Sequence, residues 1–539
     1  MDEGQALAAH HRRRVLASMM ISLALVVSAV ASLNIALPDI AADIGASQTE
    51  LQWIVDSYAV VFAGLLLIAG AVGDKYGRKH TLVWGLVVFG AAYGLGALAD
   101  EPWMLIAARA AAGVGSALVM PSTLSIITTT FPPEQRSKAV GTWAGVASGG
   151  AVLGLLLSGF LVEVSTWQWV FAANAIWAAL ALAIVLRFVP HSRDAHQPPL
   201  DGVGAVLSSV GLAAMIFATI EGPERGWTST IVGGSYALGA LLLVGFVLWE
   251  LRRKHPLLDP RLFTLRGFRT GTLSMTLQFF ALFGFIFAVL QYLQLGLDYS
   301  PFVAALALIP IGVFTGFFSR IVAPRLITRF GHRVVDASGL LVLAGGFAAL
   351  ATLQANSSYW HILAALAPLA VGIGLATTPA TASIVEALPP EKQGVASAVN
   401  DAAREVGGAV GIAVLGSLLN NGYRSDMDAV VADVPPQGAE FAEQARDSLS
   451  FVKAAADGDL PQEAVDAMAA NGVDPTMVQE IARGLLPTAQ ESFVNGMSTA
   501  MTVAAVVMVV GAVLVFGRGR RSDHNEDAVG DRPTEVPVH

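Results

Sequence analysis

Gly70-Ala71-Val72-Gly73-Asp74-Lys75-Tyr76-Gly77-Arg78-Lys79 joins two long apolar runs through a compact cluster of glycines, one carboxylate and three cations. Charges at that density belong at a membrane surface, and so short a connection makes the flanking helices antiparallel neighbours that can slide or rock together. Outward from this loop, runs of about 20 apolar residues recur, each sufficient to cross roughly 30 Å of hydrocarbon. Fourteen are counted: 15–36, 53–73, 81–99, 103–127, 139–162, 169–186, 202–220, 230–249, 271–295, 302–323, 335–353, 361–385, 395–419 and 496–516. The expected fold is an all-α polytopic membrane protein of fourteen transmembrane helices arranged six, two and six.

Composition agrees, since 54% hydrophobic and 14% charged residues over 539 positions are too apolar for one soluble domain. With Arg12, Arg13 and Arg14 placed inside, 24 of the 32 Lys and Arg fall in the inner loops and tails, as the positive-inside rule asks. Loop 251–270 alone holds Arg252, Arg253, Lys254, Arg261, Arg266 and Arg269. The predicted plan is a basic cytoplasmic N-terminus (1–14), a six-helix bundle (15–186), a cytoplasmic linker (187–201), two extra helices (202–249), a basic cytoplasmic loop (250–270), a second six-helix bundle (271–516) and a disordered cytoplasmic tail (517–539). Both termini are expected on the cytoplasmic side of the cell membrane.

Within the second bundle, residues 421–495 form an acidic insert of 13 Asp and Glu against 4 Lys and Arg, expected outside. Its alanine-rich stretches 439–453 and 461–470 suggest a helical hairpin, read either as a solvated spacer or as a lid or entry funnel for cations. The net charge of −9 comes largely from this insert and the tail, so it does not point to a cationic partner. The chain has no cysteine, which excludes disulfide and thiolate chemistry. The first run lacks a small-residue cleavage site and is too long for a signal segment, so it is read as retained. No phosphate loop, metal pair or nucleophile elbow is present, which argues against an enzyme, a nucleotide-driven pump and a resident cofactor.

Asp74, Gly77, Arg78 and Lys79, with Gly70, resemble the hallmark loop of the major facilitator superfamily, and Arg325, Arg329, Phe330, Gly331, His332 and Arg333 give a weaker echo one half later. The likeness narrows to the fourteen-span drug:proton antiporter group and its QacA-like and EmrB-like multidrug exporters. It rests on Asn34-Ile35-Ala36-Leu37-Pro38, Leu51-Gln52-Trp53-Ile54-Val55-Asp56-Ser57-Tyr58, Met120-Pro121-Ser122-Thr123-Leu124-Ser125, Leu258-Asp259-Pro260-Arg261-Leu262-Phe263, and Gln291-Tyr292-Leu293-Gln294 leading to Ser300-Pro301. It implies a secondary active transporter, not an enzyme, that exports lipophilic and in part cationic drugs or antibiotics in exchange for protons. The proton is then the coupling ion, with a small molecule as substrate, the bilayer as surroundings, no nucleic-acid partner and a monomer as sufficient unit. An exporter of a self-made metabolite or lipid-like molecule, or a sensor on the same scaffold, are the rival readings.

The resemblance also implies site residues. Arg109 matches an arginine tied to proton coupling, although an arginine near Trp103 can also snorkel to the surface. Gly145, Gly149, Gly150, Gly154 and Gly159 match the antiporter glycine helix, or simply let a neighbour approach closely. Here Gly154-Leu155 and Ser158-Gly159 stand where the motif has Gly-Pro and Gly-Gly. The acid that the group carries nine residues before the proline of its first span is Ala29 here. The remaining candidates are Asp56, which could instead face external water, and Asp401, Arg404 and Glu405, whose spacing puts both acids on one helix face. These three read either as a proton-coupling cluster or as a static ion-pair network. Asn400 stands where QacA-like chains often have a second acid. A substrate lining is expected from Asn34, Trp53, Tyr58, Met120, Gln278, Phe283, Gln291, Tyr292, Gln294 and Asn400, while Phe279, Phe280, Phe283 and Phe287 could equally face lipid.

Overall fold

The computed structural model describes residues 3–190, 201–254, 256–388, 393–431, 439–460 and 474–517. Among them every regular element is a helix: α1 (Glu3–Ser32), α2 (Leu37–Ile44), α3 (Gln48–Tyr76), α4 (Arg78–Gly96), α5 (Pro102–Thr130), α6 (Pro133–Val164), α7 (Gln168–Phe188), α8 (Gly202–Arg225), α9 (Thr230–Glu250), α10 (Arg266–Gln291), α11 (Pro301–Ala307), α12 (Ile309–Phe317), α13 (Ala323–Leu350), α14 (Tyr359–Glu386), α15 (Gln393–Val431), α16 (Ala439–Asp447), α17 (Leu449–Asp457) and α18 (Pro475–Gly517). Ten helical segments among the described residues are long and apolar enough to cross a membrane, against fourteen runs in the sequence. The four that differ are α3, α4 and α6, which are 29, 19 and 32 residues long, and the segment Pro301–Leu350, which contains two of the runs.

Those two runs are separated at Gly331, whose φ of 79° and ψ of 160° lie outside helical space. The first half has the same joint. Gly77, with φ 106° and ψ 125°, is the single residue between α3 and α4. A Cβ at either position would be strained, so glycine lets the chain turn from one helix directly into the next. The loop quoted first and its weaker echo therefore perform one backbone manoeuvre twice, as a duplicated architecture requires.

The N-terminal half packs around Leu23, Phe62, Phe89 and Phe171, and the C-terminal half around Phe285, Tyr292, Phe347 and Met501. Lipid is no poorer a solvent for leucine than a helix is, so close approach of backbones carries much of the cohesion. Where α4 meets α5, a Cβ on Gly115 would lie 2.7 Å from the Phe89 nitrogen; where α13 meets α14, a Cβ on Gly339 would lie 2.7 Å from the Ala376 nitrogen. Large apolar side chains such as Trp84, Leu180, Leu241 and Val513 cover the outside.

The extra pair is not symmetric in its contacts. Only 11% of the apolar window of α9 is buried, whereas α8 wedges between α3 and α15. Ser209 donates to the Gly64 carbonyl at 2.8 Å on one side, and Ser417 donates to the Thr219 carbonyl at 2.8 Å on the other. Ile216 and Ile220 fill the seam with Val60 and Ala413. Thus α8 touches both halves and α9 shields it from lipid.

The described part of the acidic insert is packed, unlike a solvated spacer. Arg424 pairs with Asp447 at 2.8 Å, Arg446 pairs with Asp428 at 2.6 Å, and Phe451 is buried against Phe441. Through α17 it lies on α18 and reaches α2 of the other half. Residues 461–470, the second arm expected from the sequence, lie outside the described residues.

Two outcomes follow from the backbone and from α2. Nothing lies within 4 Å of a Cβ built on Gly331 or on Gly345, so Gly331→Ala isolates the backbone term and should lose about 1–3 kcal/mol, while Gly345→Ala in ordinary helix should be neutral or better. Thermal unfolding of the purified variants in detergent would measure the difference. Burial, reinforced by the charge of Asp43, pushes the Asp39 carboxyl on α2 up to about 6. A raised acid binds its proton more tightly in the folded state, so stability should rise as pH falls from about 6 toward 4. Melting curves across that window should show this gain in the native chain and less of it in Asp39→Asn.

Candidate functional site at the seam between the two halves

Arg109 sits in α5 at 1% exposure, so it does not snorkel to the surface. Its Nη1 donates to the Tyr93 hydroxyl at 2.7 Å, its Nε donates to the Ile54 carbonyl at 3.2 Å, and its guanidinium lies over the Tyr58 ring at 4.2 Å. Tyr93 in turn donates to the Ala29 carbonyl at 3.4 Å, and Tyr58 donates to Ser116 at 2.7 Å. The cation is thus held by a carbonyl, a phenol and a π face, with no carboxylate in contact among the described residues. Where the family pattern would supply an acid on the first helix, this chain offers the backbone of Ala29.

Asp56, two residues beyond Arg109's partner Ile54 on α3, is fully buried, and neither carboxyl oxygen has a hydrogen-bond partner. It does not face water, as the alternative reading supposed. From the other half, α15 presents Asp401, Arg404 and Glu405. Among the described residues no ion pair closes between Arg404 and either acid; the guanidinium lies over the Phe279 ring at 5.3 Å, and Arg404 Nε and Glu405 Oε2 are unpartnered. The three charges feel one another without being locked together, which is not the static network considered from the sequence. This stretch of α15 lies at the seam, since α15 packs on α3 and Ala402 packs against the N-terminal core.

The expected lining divides. Phe283 of α10 packs against the N-terminal core and Met120 belongs to that core's edge, so both lie near the seam. Gln294 crosses it, donating to the Ile35 carbonyl at 3.0 Å. Asn34 leaves its Oδ1 buried and unpartnered, and Asn400 accepts from Thr381 at 3.4 Å. Others serve the scaffold. Trp53 donates to Glu221 of α8 at 2.8 Å and packs on Phe217, Tyr292 is buried in the C-terminal core with its hydroxyl on the Gln354 carbonyl, and Gln291 bonds its own helix at Phe287. Gln278 bridges Ser274 and Thr377 inside the C-terminal half.

The glycine helix has two partners. A Cβ on Gly150 would lie 3.1 Å from Val27, and one on Gly154 would overlap the Ser28 backbone, so this stretch of α6 lies on α1. One turn later Gly159 faces the opposite half, where a Cβ would lie 2.9 Å from the Pro301 carbonyl. Beside that contact Glu163 accepts from Ser300 at 2.7 Å and from the Phe302 amide at 3.1 Å, and on the α3 to α15 flank Asn420 donates to Thr49 at 3.0 Å and Ser417 donates to Gln52 at 3.3 Å. The described hydrogen bonds between the halves cluster at this one end, beside α2 and the insert. The side chains of Asp74 and the contacts of Gly145 and Gly149 lie outside what is described. At the opposite, basic end, Gly70 and Gly73 lie in ordinary contact with Pro121 and Ser122 of α5, and Lys79 donates to the Leu186 carbonyl in the last turn of α7 at 3.2 Å. Cations are favoured at such a helix end.

Residues 19–412 match the family model described as Major Facilitator Superfamily. The chain belongs to the major facilitator superfamily. It is 37% identical over 390 residues to the puromycin resistance protein pur8 of Streptomyces alboniger, covering 71% of this chain and 77% of that one. It is 31% identical over 482 residues to the methyl viologen resistance protein SmvA of Salmonella typhimurium, covering 89% and 93%. Its fold is similar to that of a bacterial homologue of the human lysosomal transporter Spinster, at 15% identity and a TM-score of 0.63 over 94% and 96% of the two chains. The protein is therefore a multi-pass transporter, not an enzyme, and its relatives place it with the multidrug and antibiotic efflux carriers of the QacA-like group.

Four residues that hold this framework carried no motif: Tyr93, which completes the Arg109 shell; Glu163, which ties the halves; Glu221, which docks α8; and Asp336, which accepts from Ser274. An acid inside the apolar run 335–353 was the one visible signal. Tyr93→Phe should cost about 1.5–3 kcal/mol of stability, because it removes a hydrogen bond to a buried cation. Thermal unfolding of that variant beside Tyr76→Phe, whose ring is exposed, would check the figure.

Proposed function

We propose that this carrier exports lipophilic, in part cationic, drugs or antibiotics across the cytoplasmic membrane in exchange for protons, by alternating access of the two halves around the seam. The observation that carries the reading is the unlocked charges there: Glu405 and Asp401, with no closed ion pair to Arg404 among the described residues, on a helix that packs on α3 of the other half. Acids held in a membrane without a fixed partner are suited to gaining and losing a proton as the halves rock. The names of pur8 and SmvA support antibiotics and an organic dication as the cargo type. Phe279 and Phe283 next to Arg404 supply aromatic faces for a lipophilic cation once Arg404 moves aside.

On this reading the basic end and both termini are cytoplasmic, the insert and α2 are outside, and the hydrogen-bonded end is a closed external gate. Gly159 and Glu163 make its tightest contact. A single chain suffices, no cofactor beyond the proton is needed, and neither nucleic acid nor a protein partner is required.

Efflux of a lipophilic cationic dye from energised cells, with and without a protonophore, tests the coupling. Native efflux should collapse with the protonophore, and Asp401→Asn and Asp56→Asn should each lower it at least about tenfold if the acid carries the coupled proton. Dye efflux unaffected by the protonophore would overturn proton coupling. No dye movement with intact export of a neutral compound would move the cargo toward an endogenous metabolite.

A further inference from the structure

Asp336 lies one turn beyond the Gly331 joint, on α13, at 3% exposure. Ser274 of α10, itself fully buried, donates to its Oδ1 at 2.6 Å. Gln278, one turn along α10, donates through Nε2 to the Ser274 oxygen at 2.9 Å, and Thr377 of α14 donates to Gln278 Oε1 at 2.7 Å. Every donor in this chain points toward the carboxyl, so three helices are joined by one polarised string of hydrogen bonds. One turn further on α14, Thr381 donates to Asn400 at 3.4 Å, beside Asp401. The string therefore runs from a solitary buried acid to Thr377, one turn of α14 short of the separate Thr381 to Asn400 hydrogen bond beside the charged cluster.

No ion pair reaches Asp336 among the described residues. The charged groups on the elements packed against it are Arg266 and Arg269 on α10, Arg320 before α13, His361 and Glu386 on α14, and Arg325, Arg329, His332 and Arg333 on α13 itself. His332 lies 3.7 Å from Glu386, and Arg333 lies over the Phe516 ring of α18 at 4.8 Å. The described acidic and basic groups of α18, Glu480, Arg483 and Glu491, are at its other end. A purely structural polar contact between α10 and α13 would need only a neutral pair such as Ser and Asn. An acid there adds a site that can hold or release a proton.

We propose that Asp336 is a second proton-carrying acid of the transport cycle, held by a string through Ser274, Gln278 and Thr377 that stops one turn of α14 from the Asp401 cluster. This rests on the proton-coupled reading above. In the step it would perform, the Asp336 carboxylate takes one proton and forms an O–H bond in one orientation of the halves. In the other it gives that proton to water at the basic end, restoring the carboxylate and the Ser274 hydrogen bond. No other bond changes.

The test uses the full-length protein in proteoliposomes, with the cationic dye as probe. Two assays are run on the native chain, Asp336→Asn, Asp336→Glu and Ser274→Ala: accumulation driven by an imposed pH gradient, and dye exchange with no gradient. The expected result is that Asp336→Asn loses gradient-driven accumulation at least about tenfold, as for loss of a coupled acid, while keeping exchange. Asp336→Glu should restore part of it, and Ser274→Ala should move the pH dependence of accumulation without abolishing exchange. Because exchange requires a folded, moving carrier, a folding defect is separated from a coupling defect. If Asp336→Asn loses both assays, the intermediate variants decide: Asp336→Glu that exchanges without accumulating, or Ser274→Ala with a native pH profile, overturns the proposal. Native-like accumulation by Asp336→Asn overturns it while leaving the wider reading intact. A native chain that ignores the pH gradient overturns both.

Discussion

A cation buried in a bundle surrounded by hydrocarbon constrains everything near it. Arg109 cannot be left bare, because an uncompensated buried charge costs far more than any one packing contact returns. Its shell is accordingly dense: a phenol from α4, a carbonyl from α3 and the face of Tyr58, itself fixed by Ser116 two turns along α5. These contacts tie α3, α4 and α5 together and bring the Ala29 carbonyl of α1 into the same chain through Tyr93. Two close glycine approaches, at Gly113 against the Tyr58 carbonyl and at Gly115 against the Phe89 nitrogen, are on the same stretch of α5. The N-terminal half is rigid where its charge is.

The C-terminal half treats its charges in the opposite way. Asp401, Arg404 and Glu405 are neighbours without a closed pair, and Arg404 settles for an aromatic face. A rigid cation on one side of a seam and loosely held acids on the other make the energy of the seam depend on how the halves sit. On the proton-coupled reading proposed above, that is what coupling requires: a proton can change the balance only if the groups it touches have more than one arrangement of similar energy. A locked triad would have been more stable and less useful.

How much of this the residues announced can be traced position by position. The Gly70 to Lys79 loop and its echo were legible because their meaning is local: charges cannot sit in hydrocarbon, and a lone glycine can turn one helix into the next. Span positions followed from composition for the same reason. The lining was not legible, since Trp53, Tyr58 and Tyr292 are amphipathic and their sequence neighbours do not say which helix each ring will meet. Trp53 found Glu221 on α8, 168 residues away, a partner that no periodicity could pick out. Tyr93 looked like one more aromatic in an apolar run until Arg109 gave its hydroxyl a task. Asp336 was visible as a charge inside a run, but its significance depends on Ser274, which only the packing of α10 against α13 reveals.

The place of α8 bears on how the halves can move. A helix that bonded only one half would ride with it, yet α8 holds Gly64 and Trp53 on one side and Ser417 on the other. Ser417 also reaches Gln52, so the α8 contact to α15 and the direct contact between α3 and α15 share one hydroxyl. Rocking of the halves therefore cannot break the α3 to α15 contact without disturbing α8, whose outer face is covered by the nearly unburied α9. On the opposite flank, Gly159 lets α6 touch α11 with backbone against backbone. The two flanks differ in kind: one is a three-helix seam with a shared polar pin, the other a two-helix contact closed by Glu163 on Ser300 and the Phe302 amide. Motion that opens the gate should then begin on the α6 to α11 flank and turn about the α8 seam, because the contact with no intermediary is the one that can part without rearranging a third helix.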